Sequence, residues 1–202
     1  MKLFSSPRVL HFLFSNWIWK GPDKNAVYLT FDDGPTKELT PWILELLRKK
    51  EIKATFFCVG ECAVKSPELI KQIMADGHAL GHHTMHHENG WKTRANNYIN
   101  SIVESQAYIN SKLFRPPYGK ITFSQAQRLR KLGFKIIMWS WLSYDFDKTI
   151  NAQKIIAKSE KIKGGDILVF HDNFKAQENA KKVLPYLISS IESRGLCFKL
   201  LS

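Results

Sequence analysis

Two adjacent carboxylates, Asp32 and Asp33, close a β-rich run from Val27 to Phe31 and stand directly before Gly34-Pro35. Adjacent side chains on an extended backbone point in opposite directions, so the pair can hold two jobs, one binding a metal and the other taking a proton. Further on, four histidines fall within Gly81-His82-His83-Thr84-Met85-His86-His87. Histidines four apart on a helical turn share a face and can hold one ion. His82 with His86 and His83 with His87 both meet that spacing, and spacing does not choose between them. Either pair, joined by a strand-end carboxylate, makes a two-histidine, one-carboxylate site with positions open to water, the catalytic rather than the structural pattern. Read blandly, Asp-Asp-Gly-Pro is a solvated turn and the histidines a polar loop. Four histidines in six residues are hard to explain by packing.

The elements that must position these groups alternate. Thr36 to Lys50 carries Leu39, Trp42, Ile43, Leu46 and Leu47 on one helical face. Lys53 to Val59 is a continuous apolar run, as expected of a strand buried on both sides. Ser66-Pro67 opens a helix, with Ser66 as N-cap, and His78 to Gly81 makes a short strand. Asn96 to Ser111 is helical, Leu113-Phe114 a brief strand, and Ser124 to Leu132 a helix stopped by Gly133. Phe134 to Trp141 is one strand, Asn151 to Ser159 a helix and Asp166 to Phe170 a buried strand. Gln177 to Ser193 is the last helix, with a kink expected at Pro185, and Leu196 to Leu201 the last strand. Seven strand-like runs alternating with helices predict parallel strands wound with helices outside, and a barrel is favoured over an open sheet. Asp32 and Asp33, the histidines, Arg115, Asp145 and His171 all follow predicted strands, so five strand ends converge on one rim.

At 202 residues the chain suits one domain with a sizeable core. The expected division is an N-terminal segment, 1–20, packed on a single catalytic domain, 21–202. Val9 to Trp19 is apolar and aromatic but too short and interrupted to span a membrane. As a signal peptide it is poor, because Pro7 and Arg8 precede a short core and no small-residue cleavage site follows, so a cytoplasmic or membrane-peripheral location is expected. An envelope substrate would nevertheless require export. Trp17 and Trp19 could alternatively sit among lipid headgroups. The net charge of +12 favours anionic polymers, but no nucleic-acid-binding signature accompanies it, so no nucleic acid partner is expected. Cys58, Cys62 and Cys197 form no metal or redox spacing; Cys58 reads as a buried small hydrophobe, with a Cys58 to Cys62 bridge unforced. A monomer is expected.

Thr30-Phe31-Asp32-Asp33-Gly34-Pro35, His83-Thr84-Met85-His86-His87, Arg115-Pro116-Pro117-Tyr118-Gly119 and Val169-Phe170-His171-Asp172 resemble, in order and spacing, the successive motifs of the polysaccharide deacetylases, the NodB-homology domains of carbohydrate esterase family four. The resemblance runs from Val27 to about Asp172. It implies a distorted (β/α)7 barrel of parallel strands with outer helices. It also implies metal-dependent hydrolysis of N-acetyl groups from the amino sugars of a glycan such as peptidoglycan, chitin or an exopolysaccharide. Zinc is the usual metal, with cobalt or nickel able to substitute. Carried onto this chain, the pattern makes Asp33, His83 and His87 the ligands and Asp32 the general base. The backbone N–H of Tyr118 would hold the oxyanion, His171 would act as general acid, Arg115 would orient Asp32, and Asp145 would orient His171. Val169 stands where leucine usually lines an acetyl pocket. The fourth motif departs: Leu142-Ser143-Tyr144-Asp145-Phe146 replaces the usual Asp-x-x-Asp-Trp, which leaves Asp145 but alters the groove. Trp91, Trp139, Trp141 and Tyr144 are candidates to stack on a sugar ring, with core packing the expected fate of Trp139. A non-sugar amidase and a glycan-binding pseudoenzyme are the alternatives, although none of Asp32, Asp33, His83, His87 or His171 is missing.

Overall fold

The structure, a computed structural model, describes residues 2–201. A short helix α1 (Arg8–Leu13) precedes the central strand β1 (Ala26–Asp32), which α2 (Thr40–Lys49) and β2 (Thr55–Cys58) follow. Then come α3 (Gly60–Lys65), α4 (Pro67–Ala75), β3 (Ala79–His82), α5 (Ala95–Ser105), β4 (Leu113–Phe114) and α6 (Phe123–Lys131). The last third holds β5 (Lys135–Ile136), β6 (Trp141–Leu142), α7 (Ala152–Ser159), β7 (Ile167–His171), α8 (Gln177–Ser193) and β8 (Cys197–Phe198). Seven strands pair in the order β5-β4-β3-β2-β1-β7-β6, all parallel, and β8 adds to the start of β1. The result is a curled half-barrel ringed by helices, a distorted (β/α)7 barrel. No helix among the described residues is long and apolar enough to cross a membrane.

Every residue of β1 is buried, because strands flank it on both edges and side chains cover both faces. This is why Ala26 to Phe31 reads as a nearly unbroken apolar run rather than an alternating one. Outside the sheet, Leu39, Ile43, Leu44 and Leu47 of the α2 region share one core with Val183, Leu184, Leu187 and Ile188 of α8. Pro185 lies inside α8 without ending it. Ser66 does occupy the position before α4, but its side chain makes no capping bond.

One expected strand is divided. Phe134 to Trp141 forms β5 and β6 at opposite edges of the sheet, and the residues between them pair instead with the N-terminal segment. Ile18 N–H donates to the Ile136 carbonyl at 2.8 Å and Met138 N–H to the Ile18 carbonyl at 2.7 Å. Leu142 N–H donates to Phe4 at 2.8 Å and Ser6 N–H to Ser140 at 3.0 Å. Backbone groups that a closed barrel would pair between strands are satisfied by residues 4–18. Phe4 and Trp19 are buried, and Trp17 stacks on Phe14 with ring centroids 4.4 Å apart. A continuous apolar run carries no sign of which neighbour will take its hydrogen bonds.

Gly164 shows how close this packing is: a Cβ there would lie 1.5 Å from the Lys24 carbonyl oxygen. Gly164→Ala is expected to cost about 3 kcal/mol, the upper end for overpacking, or roughly 6–12 °C in Tm for a chain of this size. Thermal melts would check it; an unchanged Tm would show that the Lys24 turn yields freely.

Candidate active site at the strand ends

The C-terminal tips of β1, β3, β4, β6 and β7 meet at one rim, as the polar residues following the predicted strands required. They enclose a cleft of about 780 Å³ lined by Asp32, Asp33, His83, His87, Tyr118 and His171, with apolar Val169, Leu142, Phe146 and Trp139. Asp32 ends β1 with an extended backbone, whereas Asp33 turns into the left-handed region at φ 79°. That break sends the two carboxylates to different partners. Gly34 follows because a Cβ there would meet the Asp172 carboxylate at 2.3 Å.

Asp33 faces the histidines. Its Oδ1 is 3.1 Å from His87 Nε2 and 3.5 Å from His83 Nε2. Burial opposes its charge, yet hydrogen bonds from His83 and His87 and the nearby His171 hold the carboxyl far below the usual carboxylate range. One ligand atom from each of Asp33, His83 and His87 lies within 4.8 Å of the others, a set able to hold one cation. The donor chemistry fits. His83 Nδ1 is 2.8 Å from the Arg115 carbonyl and donates to it, so Nε2, on giving up its proton, would offer a lone pair to a cation on the Asp33 side. His87 Nδ1 sits 3.1 Å from the Tyr118 hydroxyl, which is able to accept its proton and so leave Nε2 as the ligand atom.

The histidines do not occupy a helical turn. His82 ends β3, His83 follows it, and left-handed backbones at Thr84 (φ 63°) and His87 (φ 57°) fold the chain back. Strand alternation then separates the overlapping pairs. His82 points away, with Nδ1 2.7 Å from the Ser105 hydroxyl and Nε2 3.1 Å from the Ser111 carbonyl. His86 is exposed and pairs with Glu61.

Asp32 faces the opposite wall. Arg115 Nη1 donates to its Oδ1 at 2.7 Å, and Arg115 is completely buried. The guanidinium also donates to Thr30 Oγ1 and the Met138 carbonyl and lies over the Phe57 ring, so it cannot leave the carboxylate. Arg115 lies behind the cleft rather than within it. Tyr118 sits in a left-handed turn at φ 59° after Pro116-Pro117, its side chain 61% exposed.

Across the cleft, His171 ends β7. Its Nδ1 donates to Asp145 Oδ1 at 2.8 Å, and its backbone N–H donates to Asp145 Oδ2 at 2.9 Å. Asp145 is fully buried and also accepts the Ser143 hydroxyl. Burial alone would lower the His171 pKa, but the Asp145 charge and hydrogen bond, with Asp33 and Asp32 nearby, push it up to about 9. Leu142 and Phe146, the departures in the fourth motif, both line the cleft, and the Phe146 ring packs edge-on against His171 at 4.6 Å. The neighbouring Asp172 turns inward, accepting hydroxyls from Thr36 and Thr40, and burial raises its pKa to about 7.

Of the proposed stacking aromatics, Trp139 is half-buried: it packs against the core, as expected, and also lines the cleft. Trp141 is the one in the core; Tyr144 packs on Phe4, and Trp91 is exposed outside the cleft. Phe174, 76% exposed at the mouth, and Asn173, which donates to Asp33 Oδ2 at 2.7 Å, carried no motif to mark them. Their position two and three residues past a strand-end histidine was the available signal.

A parallel barrel with carboxylates, histidines and a buried arginine gathered at its strand ends is the architecture of a barrel enzyme. Residues 20–137 match the polysaccharide deacetylase family, more than half of the chain, and the chain belongs to that family. It is similar to a peptidoglycan-N-acetylglucosamine deacetylase of Bacillus cereus, 39% identical over 146 residues that cover 69% of this chain. They cover 53% of that relative, so the chain spans about half of its length. A second Bacillus cereus protein of the same name is 29% identical over 188 residues, 89% of this chain and 88% of the relative. Among solved structures, a peptidoglycan N-acetylglucosamine deacetylase in complex with 4-naphthalen-1-yl-N-oxidanyl-benzamide superposes with a TM-score of 0.89 at 31% identity. That match covers 97% of this chain and 95% of the other.

Proposed function

We propose that this chain is a metal-dependent deacetylase that hydrolyses the N-acetyl groups of amino sugars in an envelope glycan, with peptidoglycan the favoured substrate. One observation carries the reading: a single cleft holds the Asp33–His83–His87 set and, apart from it, a carboxylate at Asp32 bonded to Arg115 and a histidine at His171 bonded to Asp145. A divalent cation, zinc by preference and cobalt or nickel as substitutes, would be held by Asp33, His83 and His87 and would supply Lewis-acid polarisation and the acidification of water.

The chain's own residues divide the proton traffic. Asp32, held in place by Arg115 and pointing away from the ligand set, takes a proton from the attacking water. His171 enters the reaction protonated and gives its Nε2 proton to the departing amine, while Asp145 stabilises the cationic ring. The Tyr118 backbone N–H is the donor for the developing oxyanion, in a loop that Pro116-Pro117 stiffens. Val169, Leu142 and Trp139 supply the apolar wall for the acetyl methyl group. Tyr118 and Phe174, exposed at the mouth, offer faces to sugar rings. The two-residue exchange in the fourth motif changes the wall and leaves the His171–Asp145 pair intact.

The test is acetate release from peptidoglycan fragments and chitin oligomers, before chelation, after it, and after zinc is restored. Release should vanish on chelation and return with zinc. Acetate release unaffected by complete metal removal would overturn the metal dependence; zinc binding without release from any glycan would move the assignment to a non-sugar amide.

A further inference from the structure

The geometry points to Asn173 as a positioning residue that holds Asp33 as a one-oxygen ligand; the inference rests on the cation site proposed above. Asn173 lies two residues beyond the end of β7, where its side chain makes two bonds in opposite directions. Its Nδ2 donates to Asp33 Oδ2 at 2.7 Å, and its Oδ1 accepts the Ala176 N–H at 3.0 Å, just before α8 begins. The second bond fixes the orientation of the amide. Only its oxygen can accept from an N–H, so its nitrogen must face Asp33.

The two oxygens of Asp33 are thereby made different. Oδ1 lies 3.1 Å and 3.5 Å from the Nε2 atoms of His87 and His83, whereas Oδ2 is engaged by the amide on the other side. A cation among the three ligand atoms meets one carboxylate oxygen. The other cannot swing toward it without giving up its bond to Asn173. Because the far end of that amide is tied to the start of a seventeen-residue helix, the carboxylate is braced against the scaffold rather than against a loop. One-oxygen binding leaves more of the cation's coordination sphere for water and an amide carbonyl. Bonds to the outer atom of a ligand set its orientation and the strength of the site.

Asn173→Ser separates the two bonds: the hydroxyl can still accept the Ala176 N–H but is too short to reach Asp33. Zinc affinity of the full chain, measured by competition with a chelating dye, is expected to fall about 10–100-fold. The metal-free melting temperature should fall by no more than a few degrees, the loss of a single hydrogen bond. The visible absorption of the cobalt-loaded variant should differ from wild type as Asp33 becomes free to bind through both oxygens. Equal affinity and an identical cobalt spectrum would overturn the inference, as would a fall in metal-free melting temperature large enough to explain the weaker binding. A wild-type chain with no affinity for zinc or cobalt would overturn the cation-site reading itself, and this inference with it.

Discussion

Asp32→Asn is expected to lower kcat/KM for deacetylation by about 10²–10⁴-fold, the range for loss of a general base, while zinc stays bound. The separation of roles makes this pair of readouts decisive. Asp32 Oδ1 is bonded to Arg115 Nη1 at 2.7 Å, whereas the three atoms placed to hold one cation belong to its neighbour Asp33 and to His83 and His87. Asp33→Asn should therefore give the opposite pattern, with zinc binding lost along with activity. Asparagine at position 32 preserves the shape of the side chain but leaves the buried Arg115 guanidinium without its counter-charge. Breaking one side of a buried ion pair costs about 3–5 kcal/mol. Melting curves must accompany the kinetics, with rates taken well below the lowered transition. An Asp32→Asn enzyme that is folded, holds zinc and turns over within tenfold of wild type would remove Asp32 from the proton transfer.

Asp145→Asn should shift the alkaline limb of the pH profile downward and collapse activity near pH 8, with a smaller deficit near pH 6. A general acid works only while protonated, so wild-type kcat/KM should hold as pH rises and fall as it passes about 9, where His171 gives up its proton. Burial pulls that pKa down, and the Asp145 charge is the largest influence raising it. Without the charge the ring loses its proton earlier. The linkage to stability has a matching sign. Folded His171 keeps its proton until about pH 9, whereas the unfolded chain releases it near the ordinary 6.5. The pair's contribution is therefore complete below pH 6.5 and is lost as pH rises through about 9. Wild-type Tm should fall more between pH 6 and pH 10 than the variant's. A pH profile of the variant that overlays wild type would mean His171 does not donate the proton.

Much of this molecule is written locally. The Asp-Asp-Gly-Pro string after an apolar run, the histidine cluster, Arg115 before two prolines and His171 at a strand tip are each readable because strand ends are marked by an abrupt change from apolar to polar residues. Alternation of apolar runs with helical faces was sufficient for a parallel (β/α) architecture, since parallel strands need crossover helices. Which strand-end groups share one cleft also follows from that architecture, because parallel strands present all their C-terminal tips on one side.

The tertiary structure decided what depends on direction and on distant partners. Two histidine pairs satisfied the same spacing, and only the end of β3 and the left-handed turns at Thr84 and His87 sent His83 and His87 toward Asp33 while sending His82 to Ser105. The Phe134 to Trp141 run gave no warning that its middle would pair with residues 4–18, since hydrogen-bonding groups of the backbone are the same in every residue. Trp139 and Trp141, two apart and chemically identical, differ in that Trp141 is wholly in the core while Trp139 packs against it and also lines the cleft. Asn173 is an ordinary loop asparagine in the sequence; its bond to Asp33 crosses 140 positions and exists only because β1 and β7 are neighbours in the sheet. Residue type and short-range periodicity determine which groups a strand end can present, whereas the choice among equivalent groups belongs to contacts made between segments far apart in the chain.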